Sequence, residues 1–215
     1  MEIDHIFIFT ANQGREGDQL VDFGLTEGSS RVHSGQGTTN RKFYFENFFL
    51  ELAWVIDVEE ITSELTAPTR LWERSQFSTN GHSPFGLCLV NTEATDPLFA
   101  DSQTYEPTFF PPGMGADIIP NQDQPYLPWT FRMASSGPSK YPDEPCNHPV
   151  GIQQLTRATF GIPETGEEND FTAFFQQHSQ VAFESSPKPS LTLEFDQGIH
   201  RKSQYFEALR LSIMY

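Results

Sequence analysis

The sequence predicts an α+β fold built from two fused β-α-β-β-β modules with a proline-rich insertion between them. Three observations support this prediction. The order of predicted strands and helices near the N-terminus recurs near the C-terminus. Of the 16 prolines, 12 lie between Pro84 and Pro149. The 215 residues, 37% of them hydrophobic, suffice for one domain with a sizeable core. We therefore expect a single domain over residues 1–215, with modules at 1–60 and 151–215 and the insertion at 61–150. An open sheet with two unrelated halves is the alternative.

The first module begins with a run of β-forming residues at 2–10. A short helix at 18–23 follows, and Gly24 stands where the end of a helix favours glycine. Three more strands are expected at 26–33, 38–46 and 48–58, with a turn at 34–37. The last of these strands is apolar, so we expect it to be mostly buried.

The insertion is expected to be largely loop, because proline removes the N–H donors that a strand ladder needs. Short strands are predicted at 85–90, 116–119 and 129–133, and a helix at 69–76. The apolar content of this segment is too high for a free linker. It therefore either packs on the core or forms a lid over a site.

The last block repeats the order of elements in the first. Strands are predicted at 154–162, 180–185, 190–196 and 206–213, with a helix at 171–177 after the first of them. Asn169 or Asp170 is expected to cap this helix. The acidic residues at 164–170 are expected to form a solvated turn that leads into it.

The charge composition narrows the choice of partners. There are 29 Asp and Glu against 13 Lys and Arg, a formal charge of −16, so nucleic acid and anionic membranes are not expected as main partners. No apolar run approaches the roughly 20 residues of a membrane span, and no basic segment precedes an apolar block at the N-terminus. Cys88 and Cys146 form no CxxC pair and are expected to be reduced thiols. We expect a soluble, cytoplasmic protein.

Glu51 is the strongest local indication of a functional site. It interrupts the apolar run at 48–56, where an unpaired ionised carboxylate would cost several kcal/mol. Because side chains alternate along a strand, Glu51 shares a face with Phe49, Ala53 and Val55. It is expected to face a cavity, a cation or a basic side chain, or else to reach water at a strand edge.

His5 is the natural partner of Glu51. It lies in the middle of the first strand, where Ile3 and Phe7 are expected on the same face. An imidazole nitrogen and a carboxylate oxygen make half of a typical divalent metal site, which needs further ligands and open positions. The alternative is a histidine that is satisfied within the core.

Residues 33–41 are dense in hydrogen-bonding groups. The side chains of His33, Gln36, Thr38 and Asn40 could orient a carbonyl or carboxylate, and the glycines at 35 and 37 would let backbone amides approach a ligand. The alternative is a hairpin turn whose polar groups satisfy its own backbone. The run does not match the phosphate-loop pattern, because no lysine directly follows either glycine.

Several other catalytic patterns are absent. There is no HExxH and no GxSxG, and neither cysteine lies in a nucleophile signature. The remaining histidines lie in polar or proline-rich surroundings, which predicts surface or loop positions for His82, His148, His178 and His200.

The β-α-β-β-β order, with His5 on a first strand and Glu51 on a fourth, resembles the vicinal oxygen chelate superfamily, which includes glyoxalase I, bleomycin-resistance proteins and extradiol dioxygenases. The sequence is most similar to the glyoxalase-like domain proteins in five segments, at residues 3–7, 33–41, 49–54, 83–86 and 148–149. The resemblance covers nearly the whole chain. It implies that the two modules form a curled mixed sheet around a central cleft. It also implies that metal enzymes of this type take one ligand from the first and one from the fourth strand of each half.

The first half matches this ligand pattern at His5 and Glu51, and the second half does not. Aligning residues 155–157 with 3–5 puts Arg157 at the place of His5, and aligning 209–211 with 50–52 puts Arg210 at the place of Glu51. Arginine cannot ligate a cation. One expectation is that the two arginines neutralise the charge of Glu51. The other is that they bind an anionic substrate while Glu51 acts as a base. If the alignment is shifted, ligands could come from the insertion, at His82 and His148.

The resemblance implies a lyase or isomerase that acts on a small oxygenated compound, such as a 2-oxo or hydroxy acid or a hemithioacetal-like adduct. Glu51 would be the catalytic residue, and His5 with Glu51 would hold a divalent ion (Zn, Ni, Mn or Fe) if a metal is used. The expected substrate-binding residues are His33, Gln36, Gly37, Thr38, Asn40, Trp54, Arg157 and Arg210. The alternative is a metal-free binding protein of the bleomycin-resistance type. A homodimer is left open, because many relatives build their cleft across two chains.

Overall fold

The computed structural model of the chain describes residues 1–136, 141–164 and 169–215, with only the backbone described at Ser136. Part of the expected acidic turn, residues 165–168, lies outside these ranges. The first elements are β1 (Ile3–Phe9), α1 (Gly17–Phe23), β2 (Val32–His33), β3 (Thr38–Tyr44) and β4 (Phe49–Val55). They follow the predicted order, and Gly24 ends α1 in the left-handed conformation, with φ at 106°.

The second predicted strand is much shorter than expected, because the backbone before β2 is bonded to other groups. The Thr26 N–H donates to Nδ1 of His148, the Gly28 N–H to the Lys42 carbonyl, and the Arg31 N–H to Oδ1 of Asn40. Strand β4 also ends early, since Asp57 accepts hydrogen bonds from the N–H groups of Glu59 and Glu60. It thereby begins helix α2 (Val58–Ile61).

The middle of the chain contains more regular structure than its proline content suggests. It forms α3 (Leu71–Ser75), α4 (Phe77–Asn80), β5 (Phe85–Asn91), β6 (Gln103–Tyr105), β7 (Ala116–Ile119) and β8 (Trp129–Ser136). The described prolines of this region lie outside these four strands, so the strands themselves are free of proline. The backbone N–H groups that proline lacks are therefore missing only at positions that make no strand pairs.

The last block forms β9 (Leu155–Ile162), α5 (Asp170–Phe175), β10 (Val181–Ser185), β11 (Ser190–Phe195), β12 (Ser203–Phe206) and β13 (Leu211–Met214). Asn169 caps α5, as one of the two predicted candidates, by accepting from the N–H groups of Phe171 and Thr172. The single strand predicted at 206–213 is wrong. A 3-10 turn and a left-handed Arg210, with φ at 51°, divide it into β12 and β13, which pair antiparallel.

The fold class is α+β with a curled mixed sheet around a cleft, as predicted. The large sheet has eight strands in the order β2-β3-β4-β1-β5-β8-β7-β6, and a second sheet has five strands in the order β10-β9-β11-β13-β12. The large sheet consists of two halves with the same pairing: β1 lies parallel to β4, which pairs antiparallel with β3, and β5 lies parallel to β8, which pairs antiparallel with β7.

The structure thus builds the second half of the large sheet from residues that we expected to be an insertion. The C-terminal block, which we expected to supply that half, forms the five-stranded sheet instead. The expected insertion and the C-terminal block each contain several strands in succession. The order of these strands along the chain does not determine which of them pair with the first module.

The two faces of the large sheet have different neighbours. On one face, Ile6 and Ile8 of β1 and Leu50 and Leu52 of β4 belong to a core cluster that also contains residues of the five-stranded sheet, among them Phe160, Leu191 and Leu193. On the opposite face, His5, Phe7 and Phe9 of β1 lie beside Phe49, Glu51 and Ala53 of β4. A β-bulge between Ile3 and His5 explains why Ile3 belongs to the core cluster and not, as predicted, to the face of His5.

Arg74 joins the helical connection to the second half of the large sheet. Its guanidinium is buried and donates to the carbonyl oxygens of Ser83 at 3.2 Å, Leu127 at 2.8 Å and Pro120 at 2.6 Å. Burial lowers the pKa of Arg74 to about 9, because no carboxylate of the described residues lies within ion-pair distance of it. The three carbonyls hold the charge in place of a counter-ion.

Within the described residues, the structure contains no helix of the length and apolar character that crossing a membrane requires.

Candidate functional site

The face of the large sheet that carries His5 and Glu51 forms the floor of a cavity of about 240 Å³. Both halves of the sheet line it. The polar lining residues are Asp4, Arg31, His33, Gln36, Thr38, Asn40 and Lys42, together with His5 and Glu51. The aromatic lining residues are Phe7, Phe9, Phe49, Tyr105, Phe109, Phe110, Trp129, Phe131 and Tyr141. The cavity therefore has a polar side in the first half and a mainly aromatic side in the second.

The carboxylate of Glu51 lies at the centre of the polar side and is only 7% exposed. Asn40 Nδ2 donates to its Oε1 at 2.8 Å. The Nε2 atoms of His5 and His33 each lie 4.0 Å from the carboxylate, His5 beside Oε2 and His33 beside Oε1. Glu51 lines the cavity, and no group in the described parts of the chain donates a hydrogen bond to its Oε2. Oε2 is thus the oxygen that a ligand can reach.

Asn40 is held in one orientation. Its Oδ1 accepts the backbone N–H of Arg31 at 2.7 Å, which directs the amide nitrogen towards the carboxylate of Glu51. The same nitrogen lies 3.4 Å from Nε2 of His33. Asn40 therefore fixes the position of the carboxylate without neutralising its charge.

His33 lies next to Glu51 with its side chain 14% exposed. Burial lowers its pKa, and the positive charges of Arg31 and Lys42 act in the same direction, against the opposing charge of Glu51. Its Nδ1 lies 2.9 Å from the Thr38 hydroxyl oxygen, which also accepts from Gln36 Nε2 at 2.9 Å. With Asn40 as a donor at Nε2, this network assigns the ring proton to Nδ1.

His5 is oriented by the residue before it. Its Nδ1 donates to Oδ1 of Asp4 at 2.7 Å, and its ring stacks on Phe49 with centroids 4.3 Å apart and planes 14° apart. This contact leaves Nε2 directed at the cavity. Asp4 is not among the predicted site residues; the one indication of it in the sequence is an acidic residue within an apolar strand.

The prediction that the glycines of the 33–41 run offer amides to a ligand is not met in the structure. The N–H groups of Gly35 and Gly37 donate to Oε2 of Glu60, at 2.7 and 2.9 Å. Gly37 has φ of 76°, and a Cβ on it would lie 2.2 Å from the Asp57 carbonyl. Gly37 therefore shapes the turn and is not among the residues that line the cavity.

Three more residues of the predicted substrate-binding set lie elsewhere. Trp54 projects from the other face of β4 and packs against Gly14, whose missing side chain leaves room for the indole. Arg157 is exposed on β9 of the second sheet, and Arg210 places its guanidinium over the ring of Phe77 at 5.1 Å. Neither arginine approaches Glu51, because the C-terminal block is not part of the large sheet.

The histidines considered as substitute ligands do not line the cavity. His148 lies in a loop, one of the two predicted kinds of position, and is buried there. Its Nδ1 accepts the Thr26 N–H at 3.0 Å and its Nε2 donates to the Tyr44 carbonyl at 2.9 Å, so both nitrogens are used. Burial lowers the pKa of His148. His82 is partly exposed beside α4.

The second half of the sheet offers few metal ligands towards the cavity. Its central strands place Gly86 and Cys88 of β5 and Trp129, Phe131 and Met133 of β8 on this side. A set with two ligands from each half therefore does not fit these residues. A different group does: one ligand atom each of Asp4, His5 and Cys88 lie within 4.8 Å of one another, all three residues being buried. Their donor types suit a divalent transition metal.

No family model matches the sequence, and no curated protein matches it. Among solved structures, a hypothetical protein from Staphylococcus aureus has the same fold, with a TM-score of 0.56 and 12% identity over 99% of this chain and 98% of that one. Two further matches have TM-scores below 0.5 and carry no weight here. They are a mutant of 4-hydroxymandelate synthase from Streptomyces coelicolor (TM-score 0.45, 8% identity, 99% of this chain and 61% of that one) and a fusion of a xylose isomerase-like TIM barrel with 4-hydroxyphenylpyruvate dioxygenase (0.47, 8%, 90% and 36%).

The fold and the cavity define a class, that of α+β proteins in which a curled mixed sheet with two similarly paired halves surrounds a cleft.

Proposed function

We propose that the chain is a glyoxalase-like enzyme, a lyase or isomerase that moves a proton on a small oxygenated compound bound in the cavity. The observation that supports this proposal is the position of Glu51. A buried carboxylate without a counter-ion is costly, and here one oxygen is held by Asn40 while the other faces the cavity. Such an arrangement is expected where a carboxylate must accept a proton.

In the proposed reaction, Oε2 of Glu51 removes a proton from a carbon next to a carbonyl group. The C–H bond breaks, its electron pair moves onto the carbonyl oxygen, and the proton resides on Glu51. Return of the proton to a neighbouring atom completes an isomerisation, and loss of a leaving group from the enolate completes an elimination. A positioned base contributes about 10²–10⁴-fold to the rate of such a step. His5, whose Nδ1 proton is held by Asp4, presents an unprotonated Nε2 to the cavity, where it would accept a hydrogen bond from a hydroxyl group of the substrate.

A divalent ion would add to this chemistry by polarising the substrate oxygens. By donor type and position, the residues that would hold it are His5 and Glu51, or the buried group of Asp4, His5 and Cys88. Elemental analysis of protein purified without chelators tests this directly.

The test of the proposed function is solvent exchange at carbon. Phenylpyruvate and the hemithioacetal of phenylglyoxal are incubated with the protein in D2O, and loss of the C–H signal is followed by NMR. We expect exchange above the buffer background, reduced by Glu51→Gln by at least about 100-fold. Glu59→Gln, a change at an exposed carboxylate on α2, serves as the matched control. Exchange that survives Glu51→Gln undiminished would show that Glu51 is only structural.

The second candidate is a binding protein that performs no chemistry and uses no metal. The observation in its favour is the second half of the sheet, where Trp129, Phe131 and Met133 face the cavity instead of ligands. Under this proposal, calorimetry detects binding of an aromatic compound, while neither solvent exchange nor a bound metal is found.

A further inference from the structure

Lys42 and Glu51 face each other across two strands without forming an ion pair. They are directly opposed in the register of β3 and β4, so their side chains leave the same face of the sheet. Glu51 instead bonds to Asn40, while the ammonium of Lys42 lies over the rings of Tyr44 and Phe49, at 5.5 and 5.8 Å from their centroids. Among the described residues, no carboxylate lies within 4.0 Å of the Lys42 ammonium.

Arg31 is the second cation of the same cavity. Its guanidinium lies over the ring of Phe109 at 5.2 Å and donates to the Phe109 carbonyl at 2.8 Å. Like Lys42, it makes no ion pair with a carboxylate of the described ranges. Elsewhere in the chain, Arg41, Arg70 and Arg132 each pair with a carboxylate at 2.9 Å or less.

The lack of an ion pair does not by itself distinguish these two cations, because other basic residues of the described ranges, such as Arg15 and Arg201, also make none. What distinguishes Lys42 and Arg31 is their position at the cavity. Lys42 and Arg31 line the cavity together, and aromatic rings hold both of them there. Rings support a cation without cancelling its charge, so both groups remain able to bind an anion.

We propose that the ligand of the cavity is a small aromatic acid whose anionic group is bound by Lys42 and Arg31. This inference rests on the proposed function, which makes the cavity the ligand site, and it adds the class of ligand. The aromatic part lies against the rings of Phe7, Trp129 and Phe131. The volume of about 240 Å³ is below that of sites for drug-sized ligands and suits a single ring with a short acidic chain.

The charges also fix the orientation of such a ligand. The anionic group is attracted to the two cations and repelled by the carboxylate of Glu51, so it binds at Lys42, which lies opposite Glu51 in the strand register, without contacting Oε2. The carbon between the ring and the acid group is then the part that reaches Glu51. An aromatic 2-oxo acid has its acidic C–H bond at this carbon.

The test compares acids with neutral compounds of the same shape by isothermal titration calorimetry. Benzoate, phenylacetate and phenylpyruvate are paired with benzamide, phenylacetamide and 1-phenylpropan-2-one. We expect at least one acid to bind about tenfold or more tightly than its neutral counterpart, because charge-assisted hydrogen bonds contribute more than neutral ones. Raising the salt concentration should reduce this preference.

Variants locate the preference at the two cations. Lys42→Met and Arg31→Gln should each weaken binding of the acid by about tenfold and leave the neutral compound nearly unaffected. Lys42→Arg should retain most of the affinity for the acid. Lys188→Met, at an exposed lysine on a loop of the second sheet, is the matched control and should change neither affinity.

The outcomes separate this inference from the proposed function. If acids bind no better than neutral compounds, or if the preference survives both Lys42→Met and Arg31→Gln, the inference is overturned, whatever the solvent-exchange experiment shows. If acids bind through the two cations but no proton is exchanged, the inference holds and the proposed reaction does not. Failure of every compound to bind overturns the inference as well.

Discussion

The carboxylate of Glu60 accepts the backbone N–H of Gly35 at 2.7 Å, across 25 positions of the chain. The same oxygen accepts the N–H of Gly37 at 2.9 Å. One side chain on α2 thereby closes the turn that follows His33. The conformation of the turn that leads into β3 thus depends on Glu60, a residue outside the turn that does not line the cavity.

Removing this acceptor should loosen the turn. Glu60→Ala leaves two backbone N–H groups without a partner, and we expect a loss of about 1–3 kcal/mol in the free energy of unfolding, measured by urea denaturation. Ligand affinity should fall as well, because His33 is then less well positioned. Glu60→Gln keeps one acceptor and should lose less. Equal losses in Glu60→Ala and the exposed variant Glu59→Ala would contradict this account.

The buried guanidinium of Arg74 predicts a large effect on stability. Arg74→Ala removes the donors of three carbonyl oxygens, so the free energy of unfolding should fall by about 3–5 kcal/mol. Arg70→Ala is the matched control in the same connection. Its ion pair with Glu73 is half-exposed, and we expect a change of at most about 1 kcal/mol. Thermal and chemical denaturation of both variants measures the difference.

The neutral state of His148 predicts a dependence of stability on pH. Because burial lowers its pKa in the folded protein, the unfolded chain binds more protons between the folded pKa and the ordinary value of about 6.5. The free energy of unfolding should therefore fall as the pH is lowered through this interval, and be fully retained above it. The lowered pKa of His33 contributes to the pH dependence of stability in the same direction.

Urea denaturation at pH 7.5 and pH 5.5 measures this loss. His148→Gln should lose less stability between the two conditions than the unmodified chain, although it starts from a lower value. His200→Gln, at an exposed position, should not alter the loss. A pH dependence that is the same with and without His148 would show that another group is responsible.

The contact between Asp4 and His5 predicts a positioning role for Asp4. Asp4→Asn weakens the acceptor for the Nδ1 proton, and we expect the rate of solvent exchange to fall by roughly 10–100-fold, as for other carboxylates that orient a functional imidazole. Ligand affinity, measured by calorimetry, should change much less. A parallel loss of rate and affinity would indicate that Asp4 supports the cavity only as a structural group.

The sequence predicted which side chains of β4 share a face with Glu51, because alternation along a strand is a local property. It placed Phe49, Glu51 and Ala53 on one face, and it selected His5, which the structure brings to within 4.0 Å of Glu51. The same alternation places Lys42 with Thr38 and Asn40 on one face of the third strand, but local pattern does not show whether a cation is paired. That depends on neighbours from other strands.

The second half of the site could not be predicted, because strand pairing is not local. Arg157 and Arg210 were placed opposite His5 and Glu51 on the assumption that the C-terminal block pairs with the first module. The residues that take this place, Trp129 and Phe131, lie in one of the short strands predicted within the insertion, which was not expected to form the second half of the sheet. The order of elements in the two segments is similar, and only the hydrogen-bonded register distinguishes them.

The strands that carry His5 and Glu51 are buried on both sides, with the cavity on one and the second sheet on the other. Displacing β1 against its neighbours by a single residue would exchange these environments, placing the imidazole among leucines and isoleucines and sending Ile6 into the cavity. The arrangement of His5 and Glu51 therefore depends on which residues of β1 and β4 occupy alternate positions along each strand. Single insertions or deletions within β1 or β4 should abolish it even where the protein still folds.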